Sequence, residues 1–178
     1  NGLKSKLETI KSSRLILEEQ TLSFSIVKNA LTFFVAEIIH LSLNESNPNK
    51  ELFSFLYKQI DVLKKSADED LAEFHLYFMI QFAEKLGLAP MDNYSDIAIF
   101  FNPLAGKYTE NKDGQNFSKD ISLQLHKLMQ NNKANYYQKV CKNKIERNLI
   151  LDALIIFYGI HITNHQQIKS HKILTTIL

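Results

Sequence analysis

The stretch from Thr21 to Leu43, TLSFSIVKNALTFFVAEIIHLSL, most restricts what this chain can fold into. Phe24, Val27, Leu31, Phe34, Val35, Ile38, Ile39 and Leu41 recur at three- and four-residue steps, the period that lines one side of an α-helix. Phe33 and Leu43 widen the apolar surface beyond a single stripe. A helix greasy over so much of its circumference has to be surrounded, which predicts a helical bundle with this helix at its centre. Ser23 or Ser25 can cap its start, and Asn44 with the Asn47-Pro48 pair ends it.

The rest of the chain supports a mostly helical domain. Gly and Pro number 5 and 3, too few for the turns of a many-stranded fold. The pattern predicts further helices over 49–65, 68–86, 118–130, 144–161 and 164–178. In the second helix, capped by Asn47 or Asn49, the buried face is Leu52, Phe55, Leu56, Ile60 and Leu63. The third opens on Asp68, Glu69 and Asp70, which suit the positive end of the helix dipole, and stops at Gly87; Leu71, Phe74, His75, Phe78, Met79 and Phe82 face inward. The fourth puts Ile121, Leu125 and Leu128 inside. In the fifth, Ile145, Leu149, Leu151, Ile155, Ile156 and Ile160 are expected to be buried, and in the last Ile168, Ile173, Leu174 and Ile177. Residues 131–143 are polar and basic, a loop or a weak helix.

Between Ala89 and Ser118 the helical signal stops. Ile97, Ile99 and Phe101 alternate, and Lys107-Tyr108-Thr109 follows a turn at 102–106, which predicts a small β-hairpin insertion at about 94–110. Residues 1–20 follow no sustained helical period and read as an extended lead into a helical domain of residues 21–178, as if a larger protein had been cut. No apolar run reaches the roughly 20 residues that span a bilayer, and the N-terminus lacks the apolar core of a signal peptide. The single cysteine, Cys141, leaves no internal disulfide and no thiolate zinc site built by this chain alone. These points suit a cytoplasmic protein.

Signs of catalysis are few. Cys141 has no histidine placed near it by any motif and reads as an ordinary surface or half-buried thiol, although basic neighbours could lower its pKa. There is no Gly-rich phosphate loop and no H-E-x-x-H. His161 and His165 share an i, i+4 step that could hold a metal on a helix, but Thr163 and Asn164 break the helix there, so neither metal nor other cofactor is expected. His75 on an apolar face reads as a core histidine, and the acidic trio at 68–70 as a helix start.

Charge is more informative. The net +2 divides into +1 over residues 1–21, −5 over 22–110 and +6 over 111–178. A basic last third beside an acidic middle calls for an anionic partner. Within it Lys133, Lys139, Lys142, Lys144 and Arg147 are interleaved with Tyr136 and Tyr137. Lysines neutralise phosphates and tyrosine rings stack on unpaired bases, so these residues are the candidate contacts for DNA or for an acidic partner. Arginine occurs only at 14 and 147, which favours backbone contact over base reading.

Several segments in order resemble the helical C-terminal region of the bacterial recombination mediator RecO, in its Bacteroidetes-like form. They are FFVAEIIHLSLNESNPNKELFSFL (33–56), LAEFHLYFMIQFAEKLGLAP (71–90), FFNPLAGKY (100–108) and HITNHQQIKSHKIL (161–174). The resemblance implies an all-α bundle of about six helices with a small hairpin, preceded by an OB-fold whose tail would be LETIKSSRLI (7–16). It implies DNA repair without enzymatic turnover: annealing of single strands into duplex DNA, and loading of RecA on strands coated by SSB. The implied partners are single- and double-stranded DNA, the acidic C-terminal tail of SSB, RecR and, in some pathways, RecF. Some members carry a four-cysteine zinc site near the hairpin; residues 90–118 here hold no cysteine, so packing of Ile97, Ile99, Phe101 and Tyr108 is expected to hold it instead. The rival reading is a helical scaffold that meets an acidic protein and never DNA.

Overall fold

The computed structural model describes residues 25–43, 49–111, 114, 116–133 and 139–178. The expected lead over 1–20, and the candidate caps Ser23 and Asn47, lie outside them. The described residues form six α-helices and one antiparallel hairpin, so the chain is all-α with a small β insertion.

Helix α1 runs Ile26–Ser42 and α2 Lys50–Lys65. Each starts where a polar side chain satisfies a free backbone donor: Ser25 Oγ accepts from Lys28 N at 3.1 Å, and Asn49 Oδ1 from Leu52 N at 2.9 Å. Ser25 also donates to Asp68 at 2.6 Å, so one of the three acids ties the start of α1 to the turn that follows α2.

The third helix is not continuous as expected. Asp68–Leu71 is a 3-10 turn, and α3 proper is Phe74–Lys85. Between them Glu73 is 6% exposed, its carboxylate turned inward. From Phe74 to Ile80 every side chain is buried, and α3 packs against α1, α2 and two later helices, Lys119–Lys133 and Lys144–His161. The centre of the bundle is therefore α3, not α1. Helix α1 buries one face, through Ala30, Leu31, Phe34, Val35 and Ile38, and leaves Phe33 69% exposed. The Phe74, Phe78 and Phe82 rings of α3 stack one turn apart with Phe55 of α2 laid on them.

Strands β1, Phe100–Asn102, and β2, Lys107–Thr109, pair with Phe101 opposite Tyr108. Asn102 Oδ1 accepts from Ala105 N at 2.9 Å in the turn, and Gly106 takes a φ of +62° against the Phe157 ring. Phe101 and Tyr108 anchor the hairpin as expected, but Ile97 is 66% exposed and holds nothing. Polar bonds do much of the fastening. The side-chain amide of Asn93 donates to Tyr108 O at 3.0 Å and accepts from Tyr108 N at 2.8 Å, satisfying the outer edge of β2 as a neighbouring strand would. Ser122 Oγ accepts from Phe101 N at 2.8 Å.

Helix α4 runs Lys119–Lys133, α5 Lys144–His161 and α6 His171–Ile177. The buried face of α5 is turned from the expected one: Ile150, Leu151, Leu154, Phe157 and Tyr158 face in, whereas Ile145 is 71%, Leu149 43% and Ile156 47% exposed. Tyr158 fixes this orientation by donating to Met79 O at 2.6 Å inside α3. Asn164 and His165 take left-handed backbone angles that end α5, so the last helix starts at His171 rather than Asn164. Ile168 and Leu174 are buried as expected, and Ile173 is exposed. No helix among the described residues is long and apolar enough to cross a membrane.

Candidate functional site

The basic run is shaped by what precedes α5. Asn143 caps the helix by accepting from Glu146 N at 2.9 Å, and Glu146 reaches back to accept from Lys142 N at 2.8 Å. This reciprocal arrangement is a capping box stretched by one residue. It leaves the Lys142 ammonium in solvent, with only a loose approach of 3.8 Å to Glu146. Lys144 is exposed and donates to the carbonyl of Thr176 at 2.9 Å, which neutralises none of its charge.

Arg147 departs from the expected contact surface. It is 7% exposed, and its guanidinium donates to the carbonyl oxygen of Leu178 while Nε finds no partner among the described residues. It ties α6 to α5 from inside. Lys139 is exposed but lines a cavity of about 400 Å³ with Glu69 and Asp70, on the acidic side. The side chain of Lys133, and Tyr136 and Tyr137, lie outside the described residues.

Other cations join Lys142 and Lys144. Lys127 of α4 lines the same depression as Lys142, with Leu149 of α5 on its wall. Lys169 and Lys172, with His165 and His171, line another of about 400 Å³ against Ile155, Ile156 and Ile160. The +6 charge of residues 111–178 is their signal in the sequence; the run from 133 to 147 is only its densest part. Lys50, Lys58 and Lys85 surround a further depression between α2 and α3, with Ser54 and Glu51. Nothing in the acidic middle of the sequence marks that group.

The residues with possible chemistry are placed elsewhere. Cys141 is 1% exposed, and burial, with Glu73 beside it, pushes its thiol up to about 12. That thiol is packing rather than nucleophile. Burial, helped by the Arg147 charge, lowers His75 to about 3, so the ring stays neutral. His161 meets the carbonyl of Pro103 at 2.8 Å, and His165 sits past the helix end, which dissolves the i, i+4 pair. Among the described residues no group of three or more His, Cys, Asp or Glu side chains could hold a metal ion.

A family profile described as Recombination protein O C terminal matches residues 23–170. The DNA repair protein RecO of Flavobacterium johnsoniae is 29% identical over 174 residues, covering 98% of this chain and 71% of that protein. The DNA repair protein RecO of Christiangramia forsetii is 26% identical over 172 residues, covering 97% and 71%. That of Porphyromonas gingivalis is 25% identical over 177 residues, covering 96% and 71%. No solved structure matches. With a profile match that spans α1 to the start of α6, the chain belongs to the RecO family and carries its helical C-terminal domain.

Proposed function

We propose that this chain works in DNA repair and recombination as a mediator, binding DNA through the phosphate backbone and receiving the acidic C-terminal tail of SSB. In this role it supports strand annealing and RecA loading alongside RecR and RecF. The observation that carries the reading is the set of solvent-facing ammoniums on α4, at the start of α5 and at the start of α6: Lys127, Lys142, Lys144, Lys169 and Lys172. Lysine offers a point charge without the rigid fork that reads base edges, so the surface suits phosphates and carboxylates in any sequence. Family membership supplies the DNA context.

The test is fluorescence anisotropy of a labelled single strand against the chain and its K127E/K142E/K172E variant, at several salt concentrations. Affinity should fall about tenfold or more, and the salt slope should shrink by about 0.7 for each phosphate no longer neutralised. A variant with unchanged affinity and slope overturns the assignment. A labelled acidic SSB-tail peptide, titrated in parallel, reads the second partner. If only the peptide binds, the protein-scaffold reading stands in place of DNA binding.

A further inference from the structure

Helix α5 carries an apolar stripe that the bundle does not use. Ile145, Leu149 and Ile156 are 71%, 43% and 47% exposed, and with Asp152, also exposed, they stand at i, i+4, i+7 and i+11. That is the spacing by which one helix presents a seam to another. At 1.5 Å per residue the seam extends about 16 Å.

The neighbours of α5 turn the seam into the floor of a trough. On one side α4 leaves the depression that Lys127, Lys142 and Leu149 share. On the other, α6 runs back along α5: Thr176 meets Lys144, Leu178 meets Arg147, and Ile168 with Lys172 lies near Ile155 and Ile156. The seam therefore ends in two depressions with an apolar wall from α5: Lys169 and Lys172 rim one, and Lys127 and Lys142 share the other with Asp120 and Glu146.

We propose that this trough docks an amphipathic helix of a partner protein, apolar along one stripe and acidic along its flanks. Nucleic acid is a poor occupant, because a phosphate chain gains nothing from three exposed aliphatic side chains. An apolar stripe does gain, by about 25 cal/mol for each Å² covered. Lys169 and Lys172, with no acid lining their depression, select an acidic flank at that end, and Asp152 midway selects a single cation at the centre of the partner's seam. The proposal rests on the reading of the basic side as a meeting place for acidic partners, and adds an apolar recognition element that phosphate binding does not need.

The test uses a labelled synthetic peptide of about three heptads, with Leu along the seam, Glu on the flanks and one Lys at the centre. Anisotropy against the 178-residue chain should show binding at least tenfold tighter than for the same peptide with Lys flanks, and none for a scrambled order. The L149E/I156E variant should lose at least tenfold in peptide affinity. Both substitutions sit on exposed positions, and a circular dichroism melt checks that the fold is kept. Equal binding of the scrambled peptide, or an unaffected variant, overturns the proposal. So does self-association of the chain that L149E/I156E abolishes, which would make a second copy the occupant. Failure of the unsubstituted chain to bind DNA while it binds the peptide would overturn the DNA reading alone.

Discussion

The carboxylate of Glu73 accepts the backbone N–H of Cys141 at 2.8 Å, joining residues 68 apart in sequence. Its other oxygen takes the N–H of Val140 at 2.9 Å. A buried carboxylate is stable when donors converge on it, and this one lies at the break between the 3-10 turn and α3. The bond decides where the chain enters α5, and with it where Lys139 and Lys142 emerge.

Replacing Glu73 with Ala strands two backbone donors, each costing about 1–3 kcal/mol where buried, so E73A should lower stability by roughly 2–6 kcal/mol. A urea midpoint measures it. The same variant should expose Cys141. In the unsubstituted chain the thiol is 1% exposed and held near 12, so iodoacetamide at pH 8 should leave it unmodified by mass until the protein is unfolded. In E73A, labelling should appear under native conditions. Rapid labelling of the unsubstituted chain would contradict the packing described.

Asn93 supplies both halves of a strand-like pairing to Tyr108. Asn93→Asp keeps the acceptor and replaces the donor with a second acceptor facing a carbonyl. The expected loss is about 1–3 kcal/mol, with faster hydrogen exchange confined to residues 100–109. Exchange that rises evenly over the whole chain would show that the hairpin is not held locally.

What is legible in the sequence follows the range of the forces involved. Helix starts at Asn49 and Asn143 depend on bonds three residues long, and the hairpin turn on an Asn-Pro pair and a glycine, so local pattern suffices. The hub is harder to place, because the length of an apolar run favours α1 while freedom from charge favours α3. The run Phe74–Ala83 is short, but it holds no charged residue and can be buried on all sides, whereas α1 carries Lys28 and Glu37. The face of α5 is ambiguous because that helix is apolar nearly all round. Which side turns in is decided by the Tyr158 bond to Met79, a partner 79 residues distant that no periodicity announces. Arg147 resembles one more surface cation for the same reason: its partner, Leu178, lies 31 residues on.

Glu37 of α1 gives the basic rim its position. Its carboxylate accepts from Lys169 N at 3.0 Å, Ser170 N at 2.8 Å and the Ser170 hydroxyl, so it anchors the chain just before α6 to another helix. Burial alone would raise its pKa; the bonds from Ser170 and Lys169 and the nearby His171 outweigh this, and the group titrates below the ordinary 4.5. Its stabilisation is thus complete above that value and is lost as pH falls through the lower folded pKa. E37Q should cost about 1–2 kcal/mol at pH 7, the worth of hydrogen bonds to a charged acceptor, and less at pH 3. Chemical denaturation at the two pH values checks this, and proteolysis should cut first near 165–172 in the variant.

His75 acts in a higher window, so the two groups can be separated. The ring is buried edge-on to Phe34, its Nδ1 finds no partner among the described residues, and burial with the Arg147 charge depresses its pKa from 6.5 to about 3. Between those values the unfolded chain binds a proton that the folded one refuses, so stability must rise with pH up to 6.5 and then level. At pH 5 the loss from this residue alone is about 2 kcal/mol, at 1.36 kcal/mol for each unit below 6.5. His75→Leu removes the titrating ring and keeps an apolar filling, so the difference in stability between pH 7.5 and pH 5 should shrink by about that amount, while E37Q leaves it unchanged. A His75→Leu chain that softens between pH 7.5 and 5 as much as the parent would mean that the ring is protonated in the folded protein, and that the junction of α1, α3 and Arg147 admits water.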